Sequence, residues 1–330
     1  MNMVNNKSDK IKKPNFCVIE VSHRCMLKCK MCYDWKNKGD PAEVTIKELF
    51  KFISSLKDFV DGPFEINIAG GEPLLKEGIF DLIEFIANQG FSFSMTTNAY
   101  LLDKGVARRI ADSGLSFIPI SLDSLDEDIH DYLRGVRGVH KRAMEALGYF
   151  IDYPGKLKNL TIQTIIMGPN LDGILDLVNW VQEKQIAVSF MAIMRPNMVP
   201  IDPRWYEKKE FTFLWPKNIS KVCFVIDELI KLKQRGYKID NPIGQLERFK
   251  LYFANPQRFV RETYCSLGDD ILHINYRGDI HLCCEMDPIG NIKKDNINKV
   301  WISEKAGNIR EKIRLCRRNC AEMVNCYREE

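Results

Sequence analysis

The sequence lacks any apolar run of the roughly 18 residues needed to cross a bilayer, and residues 1–13 contain no apolar signal core. It also lacks internal repeats and low-complexity segments. Neither sign of charge dominates, since the formal net charge is only +4, so the composition does not favour a nucleic-acid or membrane partner. These absences indicate a soluble globular chain, which we expect to lie in the cytoplasm.

Cysteine, by contrast, is abundant, with 11 thiols in 330 residues. A chain this long and this charged does not fit a small secreted disulfide scaffold, so we interpret the thiols as metal ligands in a reducing compartment. Three of them lie within residues 25–32 and six within residues 265–326, whereas Cys17 and Cys223 stand apart. The distribution predicts two metal regions, one near each end of the chain.

Short β-rich runs alternate with amphipathic segments of helical period through the first 196 residues. Strands are predicted at Phe16–Val21, Phe64–Ala69, Phe91–Thr97, Ser116–Leu122, Leu160–Met167 and Ala187–Met194. Helices are predicted at Thr45–Phe59, Ile79–Asn88, Leu101–Ser113, Val139–Ile151 and Asp172–Lys184. Six parallel strands with helical crossovers predict an α/β fold, an incomplete (β/α)6 TIM-like barrel, with a doubly wound sheet as the alternative. Both folds place their chemistry at the carboxyl ends of the strands.

The pattern divides the chain into four parts. Residues 1–14 are predicted to be a flexible N-terminus, and residues 15–196 the partial barrel. Residues 197–262 form an aromatic bridging segment with a helix from about Asn218 to Gln234. Residues 263–330 are predicted to be a small cysteine-rich domain that contains a β-hairpin, Leu272–Asn275 with Asp279–Cys283, and a short helix.

The N-terminal thiols, Cys25, Cys29 and Cys32, have the spacing CxxxCxxC and directly follow the first predicted strand. Three such thiolates can bind three irons of a four-iron cubane and leave the fourth iron open to an external ligand. Two alternatives remain at this point. One is a structural zinc site with His23 as a fourth ligand, and the other is a set of ordinary buried cysteines.

Polar residues end the next three predicted strands, as Gly70-Gly71-Glu72-Pro73, Thr96-Thr97-Asn98 and Ser121-Leu122-Asp123. The carboxyl ends of parallel strands share one edge, so we expect these groups on the same rim as the cysteines. Glycines permit close approach of the backbone and leave carbonyls free to accept from an ammonium group.

This combination resembles the radical S-adenosylmethionine (SAM) superfamily, whose signature is CxxxCxxC followed by a GGEP-type motif at the second strand. The resemblance spans about residues 15–195. It implies a four-iron (4Fe-4S) cluster on the three N-terminal cysteines, whose open iron chelates the amino and carboxylate groups of SAM. Reductive cleavage of SAM then yields a 5'-deoxyadenosyl radical. Met31 departs from the family pattern, because an aromatic residue usually precedes the third cysteine.

The resemblance also implies which residues contact the cofactor. Gly70, Gly71 and Glu72 would meet the ammonium group of SAM. The other candidates, for its carboxylate or ribose, are Thr97, Asn98, Ser121 and Asp123.

In the tail, Cys265, Gly278 and Cys283 resemble the opening half of the SPASM and twitch extensions of this superfamily, which build auxiliary iron–sulfur clusters. Three later thiols approximate the second half. The resemblance implies one auxiliary 4Fe-4S cluster on Cys265, Cys283 and two of these three, with a zinc ribbon-like site as the alternative. The three later thiols are Cys316, Cys320 and Cys326.

Such extensions imply a peptide substrate. Cys223, on the helix after the bridging segment, is needed by neither cluster pattern and is either a small buried hydrophobe or a hydrogen-atom donor. The chain resembles radical SAM epimerases, which convert L-residues of ribosomal precursor peptides, here Val and Ile, to D-residues. In that group the adenosyl radical removes Hα and a cysteine thiol returns hydrogen, with SAM consumed and an external flavodoxin- or ferredoxin-like reductant.

Three other functions stay open. Thioether cross-linking of a peptide and dehydrogenation of a peptide or a small alcohol would use the same radical. A zinc protein or a cysteine-rich electron carrier would use the thiols without any reaction.

Overall fold

The computed structural model describes residues 11–37, 39–196, 199–258, 264–318 and 324–325. Its strands are β1 (Phe16–Ser22), β2 (Glu65–Gly70), β3 (Ser92–Met95), β4 (Phe117–Ser121), β5 (Asn159–Ile166), β6 (Ala187–Ala192), β7 (Ile271–Ile274), β8 (Asp279–His281) and β9 (Gly290–Asn291). Its helices are α1 (Ile46–Lys57), α2 (Ile79–Gln89), α3 (Lys104–Asp112), α4 (Glu127–Arg134), α5 (Val139–Asp152), α6 (Ile174–Glu183), α7 (Ile219–Gln234), α8 (Ile243–Ala254), α9 (Leu267–Asp270), α10 (Ile297–Trp301) and α11 (Glu304–Leu315).

The strands form one sheet in the order β6-β5-β4-β3-β2-β1-β7-β8-β9. From β1 to β6 every neighbouring pair is parallel, and sheet order follows chain order throughout. A doubly wound sheet would reverse its strand order at a switch point, and no reversal occurs among these strands. The predicted incomplete (β/α)6 barrel is therefore confirmed, and the doubly wound alternative is wrong.

The C-terminal strands extend the same sheet. Strand β7 pairs in parallel with β1, with Phe16 opposite Ile271 and Ile19 opposite Ile274. Strands β7, β8 and β9 then pair antiparallel, so the predicted hairpin is present. The hairpin therefore lies beside β1, the strand that leads into residues 25–32.

Alternating burial along β1 shows why this sequence forms a central strand. Cys17, Ile19 and Val21 are fully buried, while the intervening side chains are only partly covered. Burial raises the pKa of the Cys17 thiol, which is therefore protonated and unreactive. Cys17 thus packs as a small core residue.

None of the helices in the described ranges combines the length and the apolar character that a membrane crossing requires.

Candidate active site

The loop after β1 carries Cys25, Cys29 and Cys32 at the carboxyl edge of the sheet. Cys29 is buried, and the other two thiols are half-buried. Burial raises the pKa of Cys25 to about 12, and it also raises the pKa of Cys32, so metal binding at this loop must release protons. In the part of the chain that the structure describes, no three Cys, His, Asp or Glu side chains converge closely enough to share a single metal ion.

His23, the fourth ligand in the zinc alternative, is engaged elsewhere. Its Nε2 atom lies 3.0 Å from a carboxylate oxygen of Glu20, and its ring stacks 4.0 Å from that of Tyr276. The Glu20 carboxylate raises the pKa of His23 against the lowering effect of burial. Glu20 thus occupies one ring nitrogen of His23, while the other, Nδ1, makes no hydrogen bond to any described residue. The three thiols of the loop supply the ligands for a cluster with one iron left open.

The Gly70-Gly71-Glu72 turn runs directly alongside the start of this loop. The N–H groups of Gly71 and Glu72 donate to the carbonyls of Ser22 (2.7 Å) and Arg24 (2.9 Å). A Cβ atom on Gly70 would lie 2.2 Å from the Ser22 carbonyl oxygen, and one on Gly71 would lie 2.4 Å from that of Arg24. Only glycine permits this approach, so the two glycines bring the second strand against the cysteine loop.

Glu72 is fully buried, and its carboxylate joins the loops after β2 and β3. It accepts hydrogen bonds from Thr97 Oγ1 (2.9 Å), from the backbone N–H of Asn98 (2.9 Å) and from that of Leu74 (3.2 Å). Burial raises its pKa to about 7 despite these donors. Glu72 therefore fixes the loop after β3 relative to the loop after β2, and its contact with the SAM ammonium stays a prediction.

The loop after β3 reaches the cysteines themselves. Asn98 Nδ2 lies 3.6 Å from Cys25 Sγ and 3.7 Å from Met26 Sδ. The next strand continues the rim, because the N–H of Ser121 donates to the Thr97 carbonyl at 3.1 Å. The structure thus brings these predicted residues together with the thiols.

Asp123 lies on the same rim, but its carboxylate is directed into the protein. One oxygen accepts from Arg134 Nε at 2.7 Å and the other from the N–H of Ile165 at 3.1 Å. Its own N–H donates to His130 Nδ1 at 3.0 Å. Direct contact between Asp123 and SAM stays a prediction, whereas its observed partners are a strand and a helix.

That helix, α4, was not predicted from the sequence. The C-terminal end of α4 is bonded to the cysteine loop. The N–H groups of Lys28 and Lys30 donate to the carbonyls of Arg134 (3.1 Å) and Leu133 (2.8 Å). The Arg134 guanidinium also lies near Cys29, where burial raises the pKa of the thiol and the positive charge of Arg134 acts against that rise. Two signals in the sequence mark the helix, namely an N-cap at Asp126 and a glycine, Gly135, directly after its last residue.

The C-terminal thiols described by the structure lie on neighbouring elements. Cys265 precedes α9, Cys283 follows β8, and Cys316 follows α11. Helices α9 and α11 pack together through Arg310 Nε, which donates to the Gly268 carbonyl at 3.1 Å. Cys284 is exposed. The remaining predicted ligands, Cys320 and Cys326, lie outside the described residues.

Comparison with known families agrees with this geometry. Residues 19–183 match the model of the radical SAM superfamily. The chain belongs to the radical SAM superfamily. Residues 265–326 match SPASM, an iron–sulfur cluster-binding domain. The radical SAM region thus uses a 4Fe-4S cluster and SAM, and the SPASM domain holds an auxiliary iron–sulfur cluster, which confirms the predicted cofactors.

Two named relatives differ in how much of the chain they match. The PqqA peptide cyclase of Bradyrhizobium diazoefficiens is 26% identical over 50% of this chain and 42% of its own length. The GTP 3',8-cyclase of Campylobacter fetus is 35% identical over 88% of this chain and 92% of its own. Among solved structures, Streptococcus suis SuiB bound to S-adenosylmethionine has a TM-score of 0.69 at 21% identity, covering 91% of this chain and 68% of SuiB. SuiB is also known bound to its precursor peptide SuiA. The structural likeness shows that the fold is shared.

Cys223 of this radical SAM chain lies on α7, whose first turn lies next to the loop after β5, at the carboxyl edge of the barrel. Lys221 forms an ion pair with Asp172, which lies on the loop after β5. In the segment before α7, the Leu214 carbonyl accepts from the N–H of Gly168 in the same loop (2.8 Å). Cys223 is half-buried, two residues after Lys221.

Gly135 provides a test of how α4 supports the radical SAM loop. It adopts φ +72°, and a Cβ atom there would lie 2.1 Å from the Lys28 carbonyl oxygen. Gly138 has a similar φ of +81° but open space around it. We expect Gly138→Ala to cost roughly 1–2 kcal/mol of stability through backbone strain alone. We expect Gly135→Ala to cost at least about 1 kcal/mol more, because the cysteine loop must shift.

The measurements are urea unfolding and iron content after anaerobic reconstitution. Gly135→Ala is expected to lose iron, while Gly138→Ala keeps it. Equal stability and equal iron content in the two variants would show that α4 does not position the loop.

Proposed function

We propose that this radical SAM enzyme converts L-residues, chiefly Val and Ile, of a ribosomal precursor peptide into D-residues. The observation that carries the proposal is Cys223, a half-buried thiol outside both cysteine groups, on a helix whose first turn lies at the barrel's carboxyl edge. Two similarities support a peptide substrate, because PqqA cyclase is named for a peptide and SuiB binds SuiA. The SPASM domain, which resembles that of peptide-modifying members of the superfamily, supports it too.

The ligand assignment belongs to the same proposal. Cys25, Cys29 and Cys32 would hold the 4Fe-4S cluster, with the Asn98 amide beside Cys25. Carbonyls of the Gly70–Gly71 turn would accept from the ammonium of SAM, and Thr97, Asn98 and Ser121 would line its binding site. Glu72 and Asp123 would act by fixing the rim. In the tail, Cys265, Cys283 and two of Cys316, Cys320 and Cys326 would hold the auxiliary cluster.

When bound, the cluster and SAM supply a radical that removes the α-hydrogen of one residue. The protein's part in the reaction is then to deliver hydrogen to the opposite face of the planar Cα. Cys223 would break its S–H bond and form the new Cα–H bond, which leaves a thiyl radical. One electron and one proton restore the thiol. The electron would come from an external flavodoxin- or ferredoxin-like reductant, directly or through the auxiliary cluster.

GTP cyclisation is a second candidate, because the similarity to GTP 3',8-cyclase covers most of both chains. Thioether formation and dehydrogenation remain further candidates on a peptide or a small alcohol. The mass of the product separates epimerisation from thioether formation and dehydrogenation. Epimerisation leaves the substrate mass unchanged, whereas thioether formation and dehydrogenation each remove two hydrogens. Incubation with GTP alone tests the nucleotide reaction.

Deuterium labelling tests the proposal directly. We expect a reconstituted enzyme in deuterated water to place one deuterium on the Cα of each converted residue, because a thiol exchanges its proton with solvent. A short Val- and Ile-rich peptide encoded beside the gene is the first substrate to test. Mass spectrometry and chiral amino-acid analysis of the hydrolysed peptide give the readout, and omission of SAM is the control. D-residues without deuterium at Cα would rule out an exchangeable thiol as the donor.

A further inference from the structure

A buried ion pair lies directly behind the cysteine loop. Arg134 is 8% exposed and Asp123 is 1% exposed, and Arg134 Nε donates to Asp123 Oδ2 at 2.7 Å. The second carboxylate oxygen accepts from the N–H of Ile165 in β5. A charge this well buried requires good hydrogen bonds, so this pair is held in one geometry.

The guanidinium has donors left after this bond, since arginine presents five N–H groups in a rigid fork. Cys29 lies beside this guanidinium, because the residues on either side of it bond to the carbonyls of Leu133 and Arg134 at the end of α4. Burial raises the pKa of the Cys29 thiol, and the positive charge of Arg134 acts against that rise. Burial alone would lower the pKa of Arg134, but the charge of Asp123 raises it above its usual value, so the guanidinium is charged.

Three contacts prevent Arg134 from moving away from Cys29. The residues on either side of Cys29 donate from their N–H groups to the last carbonyls of α4, those of Leu133 and Arg134. The His130 ring on the same helix accepts from the Asp123 N–H. Cation, thiol and carboxylate therefore belong to one rigid unit formed by the cysteine loop, α4 and the loop after β4.

We propose that Arg134 is a positioning residue for the 4Fe-4S cluster. Its guanidinium, oriented by Asp123, donates a hydrogen bond to the Cys29 thiolate and stabilises the reduced cluster, which raises the reduction potential. The step is a one-electron reduction by an external low-potential donor, and no bond breaks. Hydrogen bonds to cluster sulfurs and nearby charge set such potentials, and outer partners of metal ligands tune the site. The inference rests on the proposed role of Cys29 as a ligand, and it does not depend on the epimerase reaction.

An EPR-monitored redox titration of the holoenzyme, with dithionite as reductant, tests this inference. The relevant signal is the one that changes when SAM is added, which distinguishes this cluster from the auxiliary one. We expect Arg134→Gln to shift the reduction equilibrium at least tenfold towards the oxidised state, a fall of about 59 mV for one electron. Two further variants should shift the reduction equilibrium less. Arg134→Lys keeps the positive charge but loses the forked donors of the guanidinium, and Asp123→Asn keeps the side-chain shape but loses the charge that orients Arg134.

Arg137→Gln is the matched control, because Arg137 is exposed three residues further on and its loss changes the net charge equally. We expect the SAM-responsive cluster of Arg137→Gln to have the wild-type reduction potential. A wild-type potential in Arg134→Gln at full iron content, or an equal shift in Arg137→Gln, would overturn the proposal. The Cys29→Ala variant tests separately whether Cys29 is a cluster ligand, as the inference assumes. A SAM-responsive signal that survives in this variant would show that Cys29 is not a ligand.

Discussion

Simultaneous replacement of Cys25, Cys29 and Cys32 by Ala is expected to abolish SAM cleavage and to remove one iron–sulfur centre while the auxiliary centre remains. In the proposed assignment the thiolates of this loop hold the radical SAM cluster, whereas the SPASM cysteines described by the structure lie on other elements, before α9, after β8 and after α11. Iron content per chain, EPR spectra of the reduced protein and chromatographic assay of 5'-deoxyadenosine measure the effect. Formation of 5'-deoxyadenosine should fall to the uncatalysed background.

Cys17→Ala is the appropriate control for this triple variant. Cys17 lies on β1, the strand that leads into the loop, and is fully buried with a protonated thiol. Its loss should reduce stability through packing while leaving both clusters and SAM cleavage in place. If the triple variant kept its full iron content, or if Cys17→Ala lost as much iron, the ligand assignment would be wrong.

The rim of the barrel was predictable because it follows from chain order alone. Alternating strands and helices give parallel strands, and the residue after each strand then lies at a common edge. This reasoning correctly brought Asn98 into contact with Cys25. The pattern could not show which way a carboxylate on that edge points. Glu72 and Asp123 are satisfied largely by backbone N–H groups, such as those of Leu74 and Ile165, and these leave no mark in the sequence.

Helix α4 escaped prediction for a different reason. It has only eight residues, most of them polar, so its hydrophobic period is too short to recognise. Its contacts explain why it forms, since Arg134 and His130 both bond to Asp123, and its last carbonyls accept from the cysteine loop. The pairing of β7 with β1 was equally hidden, because a four-residue strand does not specify its partner.

Replacement of Cys223 by Ala is expected to separate the two halves of the proposed reaction. No contact described above joins α7 to the cysteine loop or to Glu72, so SAM cleavage and removal of Hα should continue. The Cα radical would then lack a hydrogen donor on its second face, and D-residues should fall to background. Cys223→Ser should behave in the same way, because an O–H bond is stronger than the Cα–H bond that would form. Chiral amino-acid analysis and 5'-deoxyadenosine assay on the same samples give the ratio of the two products.

Phe224→Ala controls for the substitution on α7, because Phe224 is the next residue and its side chain is 58% exposed. It should keep the wild-type ratio of D-residues to 5'-deoxyadenosine. A packing role for Cys223 predicts the opposite pattern, in which Cys223→Ala lowers stability but keeps that ratio. The ratio therefore distinguishes a donor thiol from a buried one even if the variant is less stable, since partial unfolding reduces both products together. Normal accumulation of D-residues in Cys223→Ala would show that Cys223 is not the hydrogen donor and that it serves only in packing.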